Sequence, residues 1–327
     1  MAAPPIPSFA TDQSRARESS RQRGVQSIGD RLYGGWITAS ALVIPALLLL
    51  VAVVIAISAW PAVQSLGWRL LTDTTWDVPH ARFGLLPALL GTLASSVLAL
   101  TLATPLAFGA AIFVSELAPP RLRRPVALLI DGLAAIPSVV YGLWALVVLV
   151  PWLRRDVMPF VRDTLALGNV PLFAGPAYGP SLLAAALVLT IMILPFIAAV
   201  AREVLQAVPR SQREAALALG ATRWEMIRDA VLPNARAGLV GAMILGLGRA
   251  LGETMAVTMV IGNAHLLPTS LFQPAYTIAS LLANQFAEAS GPLHVSALMA
   301  AAGVLLAVTI VVNGFARWLV RRTEQQR

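Results

Sequence analysis

The chain has 327 residues, of which 57% are hydrophobic, only 12% are charged and none is cysteine. A soluble domain carries about 25% charged residues, so this composition predicts a polytopic membrane protein. The absence of cysteine excludes disulfides, thiolate chemistry and cysteine-type metal sites. All 24 basic residues are arginine, and the net charge is +8. A Walker A loop needs a lysine, so this chain carries no Walker A nucleotide site.

Six apolar runs are long enough for transmembrane helices, which need about 20 residues. They are Trp36–Ala59, Leu85–Val114, Val126–Val150, Pro180–Ala201, Ala237–Ile261 and Val295–Arg317. We therefore expect an all-α, polytopic membrane helical bundle over residues 31–327. The first run is longer than the apolar core of a cleaved signal peptide, about 7–15 residues, so we expect an uncleaved first helix. Residues 1–30 are rich in Ser, Arg, Pro and Gln, which predicts a disordered basic N-terminal tail.

The placement of arginine predicts the orientation, because cytoplasmic loops of membrane proteins are enriched in positive charge. With the N-terminus inside, 18 arginines lie in cytoplasmic segments and 5 in external ones. We therefore expect a multi-pass protein of the inner (plasma) membrane. Both termini and the polar loop at residues 202–236 are expected in the cytoplasm.

The predicted external segments differ in character. Three tryptophans of the first one are typical of an interfacial aromatic belt: Trp60, Trp68 and Trp76. The second, residues 151–179, mixes charged and aromatic side chains, which fits an interfacial amphipathic helix or a docking surface for an external protein. The third contains His265 and His294, whose spacing predicts no metal site.

The segment from Pro209 to Pro233 reads PRSQREAALALGATRWEMIRDAVLP and predicts two short capped helices. Gly220 stands where a left-handed residue would end the first helix, and Pro233 is expected to end the second. Two pairs have the spacing of a capping box: Ser211 with Glu214, and Thr222 with Glu225. An ordinary helix–turn–helix linker would have the same local signals.

This segment resembles the EAA loop of bacterial ABC importer permeases. The matching residues are Glu214, Ala215, Ala216, Gly220, Leu232 and Pro233. Ala230 departs from the pattern, because the family usually has a branched aliphatic residue there. The resemblance implies a permease fold like that of type I ABC importers. It also implies that the matching residues couple the chain to a separate ATP-binding subunit.

The fifth apolar run contains two charges, Arg249 and Glu253. A charge at bilayer depth costs about 2.5–3.5 kcal/mol, so such residues usually face a bundle interior or a water pathway. Four residues apart on a helix, the two side chains would share a face and could neutralise each other. Alternatively, the planar guanidinium of Arg249 binds a tetrahedral oxyanion. Glu253 would then pair with Arg249 while no anion is bound, or accept a proton from the substrate.

The third run contains the sequence AAIPSVVYG, in which Pro137 is expected to kink the helix. Ser138 or Tyr141 would then line a substrate pathway, although a kink that serves packing alone fits equally well. Asp131 lies near the expected cytoplasmic edge, where we expect it to pair with Arg124 or a neighbour.

Two stretches, GRALGETMAVTMVIGN from Gly248 and IPSVVYGL from Ile136, resemble the C-type permease of the phosphate-specific transport system. The resemblance extends over roughly residues 30–320. It implies a heterodimer with an A-type permease, a dimer of ATP-binding subunits inside and a phosphate-binding protein outside. It also implies that Arg249 and Glu253 take part in phosphate passage across the lipid bilayer.

Other functions fit less well. A permease for another oxyanion or small solute shares every coarse feature. A membrane-tethered nucleic-acid-binding protein would use the basic helix pair of the polar segment, but that segment carries Glu214, Glu225 and Asp229 and offers no third helix to support a recognition helix. No Ser/His/Asp or metal-ligand constellation indicates an enzyme, and we expect neither a cofactor nor a metal.

Overall fold

The computed structural model describes residues 28–324, with side chains described from 33 to 318. The tail predicted at residues 1–30 falls outside this range except for its last three residues, which begin the helix Ile28–Leu66. The chain divides into two compact units, one ending at Val54 and the other beginning at Ile55.

The prediction of an all-α bundle is confirmed. Within the described residues, six helices are long and apolar enough to cross a membrane: Tyr33–Leu66, Leu86–Leu117, Ser138–Thr164, Leu182–Ala207, Arg223–Leu251 and Pro292–Trp318. We refer to them as the first to the sixth long helix. Shorter helices are Arg69–Thr72, Pro120–Ala134, Arg210–Ala218, Met255–Val260 and Ile278–Gln285. Two short strands, Trp76–Asp77 and Arg82–Phe83, form an antiparallel hairpin.

The second and fourth long helices make the most extensive helix–helix contact within the described residues. The second helix presents a stripe of fully buried alanines at four-residue spacing: Ala99, Ala103, Ala107 and Ala111. Small side chains allow two helix backbones to approach closely, which is how membrane helices gain packing energy. The Thr190 hydroxyl of the fourth helix donates to the Ala99 carbonyl at 3.4 Å, so a polar contact joins the same interface.

The third apolar run is not one kinked helix, as its sequence predicts, but two helices. The helix Pro120–Ala134 ends before Pro137, and the third long helix begins at Ser138. Proline disfavours helical geometry in the residue before it, so the chain breaks completely at this point. The third long helix then continues to Thr164, so the predicted external segment has no separate interfacial helix over those residues.

The fifth apolar run is shifted from its predicted bounds at both ends. The fifth long helix begins at Arg223 and passes through Pro233, which therefore does not end a helix. A wide π-helical turn at Met226–Val231 precedes Pro233 and places it in the first turn of the following α-helix, where its missing N–H is tolerated. At the other end the helix stops at Leu251, ten residues before the predicted Ile261.

Trp76 does not belong to an exposed aromatic belt. Its indole N–H donates to the Gln285 side chain at 2.6 Å, and its ring contacts Phe83 at a centroid distance of 5.0 Å. Trp60 and Trp68 are exposed, as a belt requires. The hairpin explains the difference, because it turns Trp76 inward against Phe83.

Candidate substrate pathway and coupling segment

The fifth long helix is interrupted directly after Arg249. It ends at Leu251, and the short helix Met255–Val260 begins after the break. Glu253 lies within the break, where its Oε1 accepts the Ala256 N–H at 3.1 Å. The carboxylate of Glu253 therefore accepts a hydrogen bond from an otherwise free N–H at the start of the short helix. Its negative charge also interacts favourably with the positive end of the helix dipole.

Arg249 and Glu253 do not form the ion pair that their spacing allows. No ion pair joins them in the described part of the chain. The helix ends between the two residues, so the i,i+4 geometry that would bring the side chains together is lost. The Arg249 side chain is exposed. Its guanidinium lies 5.7 Å from the ring centroid of Phe196, which is within the range of a cation–π interaction.

The start of the third long helix packs directly against the short helix Met255–Val260. At Gly142 a Cβ atom would lie 2.8 Å from the Cα of Ala256, so any larger residue would force the two helices apart. Ser138, half-buried, begins the third long helix, and the Tyr141 hydroxyl donates to the Leu133 carbonyl at 2.8 Å across the break. The stretches IPSVVYGL and GRALGETMAVTMVIGN, which are far apart in the sequence, thus pack against each other.

The polar segment keeps one of its two predicted capping boxes. The Thr222 hydroxyl accepts the Glu225 N–H at 3.3 Å, and the Glu225 carboxylate accepts the Thr222 N–H at 2.8 Å. The box predicted for Ser211 and Glu214 is wrong, because the helix already begins at Arg210 and Ser211 lies inside it. The residue before this helix is Pro209, which makes no side-chain capping bond.

Gly220 ends the first helix of the segment as predicted. Its φ is +87°, in the left-handed region. The Gly220 N–H bonds to the Leu217 carbonyl at 3.0 Å, and the Ala221 N–H bonds to the Ala216 carbonyl at 3.2 Å. These two bonds are the Schellman motif, which fixes the angle at which the chain leaves the helix.

The residues of the EAA pattern lie in two environments. Glu214, Ala215 and Gly220 are exposed, whereas Ala216 and Leu232 pack against the core. Pro233 is half-buried within the fifth long helix. The predicted second helix is thus the beginning of a membrane helix, so it is not a free recognition helix that could enter a DNA groove.

The same segment exposes large apolar side chains that the sequence motif does not include. Leu219 is 90% exposed and Trp224 is 59% exposed. Such residues at the tip of a polar loop are typical of a contact with another protein. Their signal in the sequence is weak: an apolar residue interrupting a polar pattern.

A buried ion pair joins the polar segment to the second long helix. Arg213 donates from Nη2 to Glu116 Oε1 at 2.8 Å and from Nε to Glu116 Oε2 at 3.2 Å. Arg213 also donates to the carbonyls of Leu205 and Val208 at the end of the fourth long helix. One guanidinium therefore connects three elements, a role that the position of Arg213 in the sequence does not indicate.

The two histidines of the third predicted external segment have structural contacts. A ring nitrogen of His265, Nε2, lies 2.8 Å from the Gly84 carbonyl oxygen, and burial lowers the pKa of His265 below its ordinary value. His294 Nε2 lies 3.3 Å from Gln285 Oε1. Among the residues that the structure describes, no group of three or more His, Cys, Asp or Glu could hold a metal ion.

Solved structures share this fold. A chain of the MetNI methionine ABC transporter in an inward-facing form aligns with a TM-score of 0.55 and 18% identity, covering 76% of this chain and 99% of that one. A chain of a bacterial ABC transporter involved in the import of the acidic polysaccharide alginate aligns with a TM-score of 0.52 and 19% identity, covering 89% and 99%. The bundle of six long helices is thus that of a type I ABC importer permease.

Sequence relatives define the family. Residues 103–325 match the binding-protein-dependent transport system inner membrane components. The phosphate transport system permease protein PstC of Mesorhizobium japonicum is 42% identical over 313 residues, 94% of this chain and 96% of that protein. PstC of Pasteurella multocida is 46% identical over 285 residues, 85% and 88%. The chain belongs to this inner membrane component family and, within it, to the PstC permeases.

Proposed function

We propose that the chain is the permease subunit through which an ABC importer takes up inorganic phosphate, with Arg249 as the anion-binding group. The observation that carries this proposal is the state of Arg249: an exposed guanidinium beside a helix break, with no carboxylate paired to it in the described part of the chain. The PstC relatives, which are named as phosphate permeases, support phosphate as the anion.

The residues around the break have complementary roles in this proposal. The planar fork of Arg249 binds two phosphate oxygens at once. Glu253 places a negative charge beside the anion path, so the phosphate is released rather than trapped, and its free oxygen can accept a proton from the substrate. Ser138 offers a hydroxyl to the same path from the start of the third long helix.

The polar segment is the coupling element. Glu214, Ala215 and Gly220, with the exposed Leu219 and Trp224, form the surface that would seat on an ATP-binding subunit. Ala216, Leu232 and Pro233 hold this surface on the bundle. Arg213 then transmits its movement to the second and fourth long helices through Glu116 and the two carbonyls.

The proposed assembly is the one that the family resemblance implies. The chain would pair with a second, A-type permease, with a dimer of ATP-binding subunits on the cytoplasmic side and a phosphate-binding protein on the external side. The coupling segment and both termini would then be cytoplasmic, as the distribution of arginine indicates.

Uptake of radiolabelled phosphate tests the anion role. We expect Arg249→Gln to lower uptake about 100-fold, equivalent to roughly 3 kcal/mol of lost charge-assisted hydrogen bonding, while the assembled complex still forms. Arg249→Lys should recover only part of the uptake, because a lysine cannot bind bidentately. Arg154→Gln, on an exposed arginine of the third long helix, is the matched control and should transport normally.

Competition identifies the anion. Unlabelled phosphate should abolish the signal, and sulfate and molybdate should leave it unchanged. Equal competition by sulfate or molybdate would favour the alternative, a permease for another oxyanion. Wild-type uptake in Arg249→Gln would contradict the role assigned to this residue.

Co-purification tests the coupling role. Gly220→Pro imposes a φ near −65° on a residue whose φ is +87°, so it should deform the turn and release the ATP-binding subunit. Glu214→Lys should weaken the same association by reversing an exposed charge. Ala218→Ser, at an exposed position of the same helix, should keep the subunit bound. Retained association and uptake in both test variants would overturn the coupling role.

A further inference from the structure

The sixth long helix carries one side-chain amide, that of Asn313, within the apolar stretch LLAVTIVVNGFARW. Two hydroxyls of the same helix are satisfied by the protein: the Ser296 hydroxyl accepts the Ala62 N–H at 2.9 Å, and the Thr309 hydroxyl donates to the Leu305 carbonyl at 2.8 Å. The Asn313 amide makes no hydrogen bond with any residue that the structure describes. Neither of its polar atoms is sealed from the surface. A polar group within a membrane helix is costly without a partner, so this amide indicates a ligand.

Asn313 lies against the fifth long helix, at the residue before Arg249. A Cβ atom added to Gly248 would lie 3.6 Å from Asn313 Nδ2 and 3.7 Å from Asn313 Oδ1. Both are ordinary van der Waals distances, so the amide rests on the bare backbone of Gly248 and no side chain of that residue covers it. The unpaired amide is thus a direct neighbour of the segment that holds the proposed anion-binding group.

Arg249 projects between two packed faces of the fifth long helix. Successive residues of a helix turn by about 100°, which places Arg249 about 60° from Gly246 on one side and about 100° from Gly248 on the other. Gly246 packs against the fourth long helix, where an added Cβ would lie 2.6 Å from Ile197, and Gly248 faces Asn313 of the sixth. The exposed residues of this stretch form one stripe between these faces: Leu245, Arg249 and Gly252. Arg249 and Asn313 therefore border the same open groove.

The sixth long helix presents a cation on the face that holds Asn313. Arg317 follows Asn313 by four residues, so the two side chains share a face about 6 Å apart along the helix axis. Arg317 is exposed, and the described residues include no ion pair for it, as for Arg249. This face therefore offers an anion a neutral amide followed by a second unpaired guanidinium.

We propose that Asn313 is a second phosphate-binding group, which takes the anion over from Arg249 on its way through the bundle. The inference rests on the proposed function, in which Arg249 binds the phosphate first. The amide suits this ligand because it has both a donor and an acceptor. Nδ2 donates to an unprotonated phosphate oxygen, and Oδ1 accepts from the P–OH group that inorganic phosphate keeps near neutral pH. An uncharged group also binds less tightly than a guanidinium, and passage requires sites that release the ion as well as bind it.

Initial rates of radiolabelled phosphate uptake by the assembled complex in proteoliposomes test this inference. Asn313→Leu keeps the approximate size of the side chain and removes its hydrogen bonds, so the maximal rate should fall about tenfold. Asn313→Asp should fall further, because a negative charge repels the anion. Asn313→Gln keeps an amide and should recover part of the uptake. Gly248→Leu should act like Asn313→Leu, because its side chain would cover the amide.

The matched control is Thr309→Val, one turn before Asn313, whose hydroxyl is already satisfied within its own helix and which should transport like wild type. Asn313→Leu breaks no hydrogen bond within the described chain, so its melting temperature should equal that of wild type. Wild-type uptake in Asn313→Leu beside impaired uptake in Arg249→Gln would overturn this inference alone. Wild-type uptake in both variants would overturn the proposed function as well.

Two further outcomes would contradict the role of Asn313 in binding phosphate. Loss of the second permease from purified Asn313→Leu complex would show that the amide bonds to that partner instead. An equal loss of uptake in Thr309→Val would show that the helix responds to any polar-to-apolar change.

Discussion

Two arginine–glutamate pairs in this chain have opposite structures. Arg249 and Glu253 are four residues apart and do not pair, whereas Arg213 and Glu116 are 97 residues apart and form a bidentate ion pair. Glu116 is 7% exposed and Arg213 is 17% exposed. Glu253 instead caps a short helix, and Arg249 lies over an aromatic ring.

The difference shows what each pair is suited to do. A buried pair with several hydrogen bonds ties elements together, and most of its donors are already engaged. An arginine without a carboxylate partner keeps its donors available, which an anion pathway requires. Proximity in sequence therefore does not indicate which charges are structural, and the following predictions test that distinction.

The largest effect is expected from breaking the buried pair. Glu116→Gln leaves the Arg213 charge without a counter-ion, which should lower the free energy of unfolding by about 3 kcal/mol. Glu253→Gln should lower it by less than about 0.5 kcal/mol, because no ion pair is lost. Unfolding of the purified complex in detergent measures both, and equal losses would contradict the distinction.

Double variants should separate the pairs more sharply. The losses in Glu116→Gln and Arg213→Gln should be non-additive by about 1–3 kcal/mol, because the two side chains contact each other. Losses in Arg249→Gln and Glu253→Gln should add within about 0.5 kcal/mol. The same unfolding assay gives both cycles. A coupling energy for Arg249 and Glu253 as large as that of the buried pair would show that they interact after all.

A smaller effect should reveal the capping role of Glu253. Glu253→Ala removes the acceptor of the Ala256 N–H and should cost about 1 kcal/mol. Glu253→Gln keeps a side-chain oxygen at the same distance from the backbone and should keep most of this contribution. Identical stabilities of the two variants would mean that the bond contributes nothing measurable.

The smallest effect is expected at an exposed pair. Arg228 and Asp229 form an ion pair at 3.0 Å with side chains 67% and 60% exposed. Solvent screens such a pair, so Asp229→Asn should change the free energy of unfolding by less than about 0.5 kcal/mol. This variant is the reference for the others. A loss near that of Glu116→Gln would show that burial does not set the order of the effects.

The sequence predicted several local features correctly. The Thr222 and Glu225 capping box and the left-handed Gly220 depend on residues within one turn of each other, so their spacing is sufficient evidence. The sequence prediction was wrong at Ser211, because the helix already begins at Arg210. It was also wrong at Pro233, because the preceding π-helical turn places this residue inside a helix. Asp131 pairs with Arg202 of the fourth long helix rather than with Arg124 of its own helix.

The sequence by itself determined that this chain is a membrane permease of six long helices and which family it belongs to. Hydropathy and motif spacing are properties of short stretches of sequence, so they can be determined without a structure. Only the tertiary structure decided where the third and fifth apolar runs break, that Arg213 joins Glu116, and that Asp131 pairs with Arg202. These features depend on side chains distant in the sequence, because burial and hydrogen bonding are set by whichever neighbours the fold brings together.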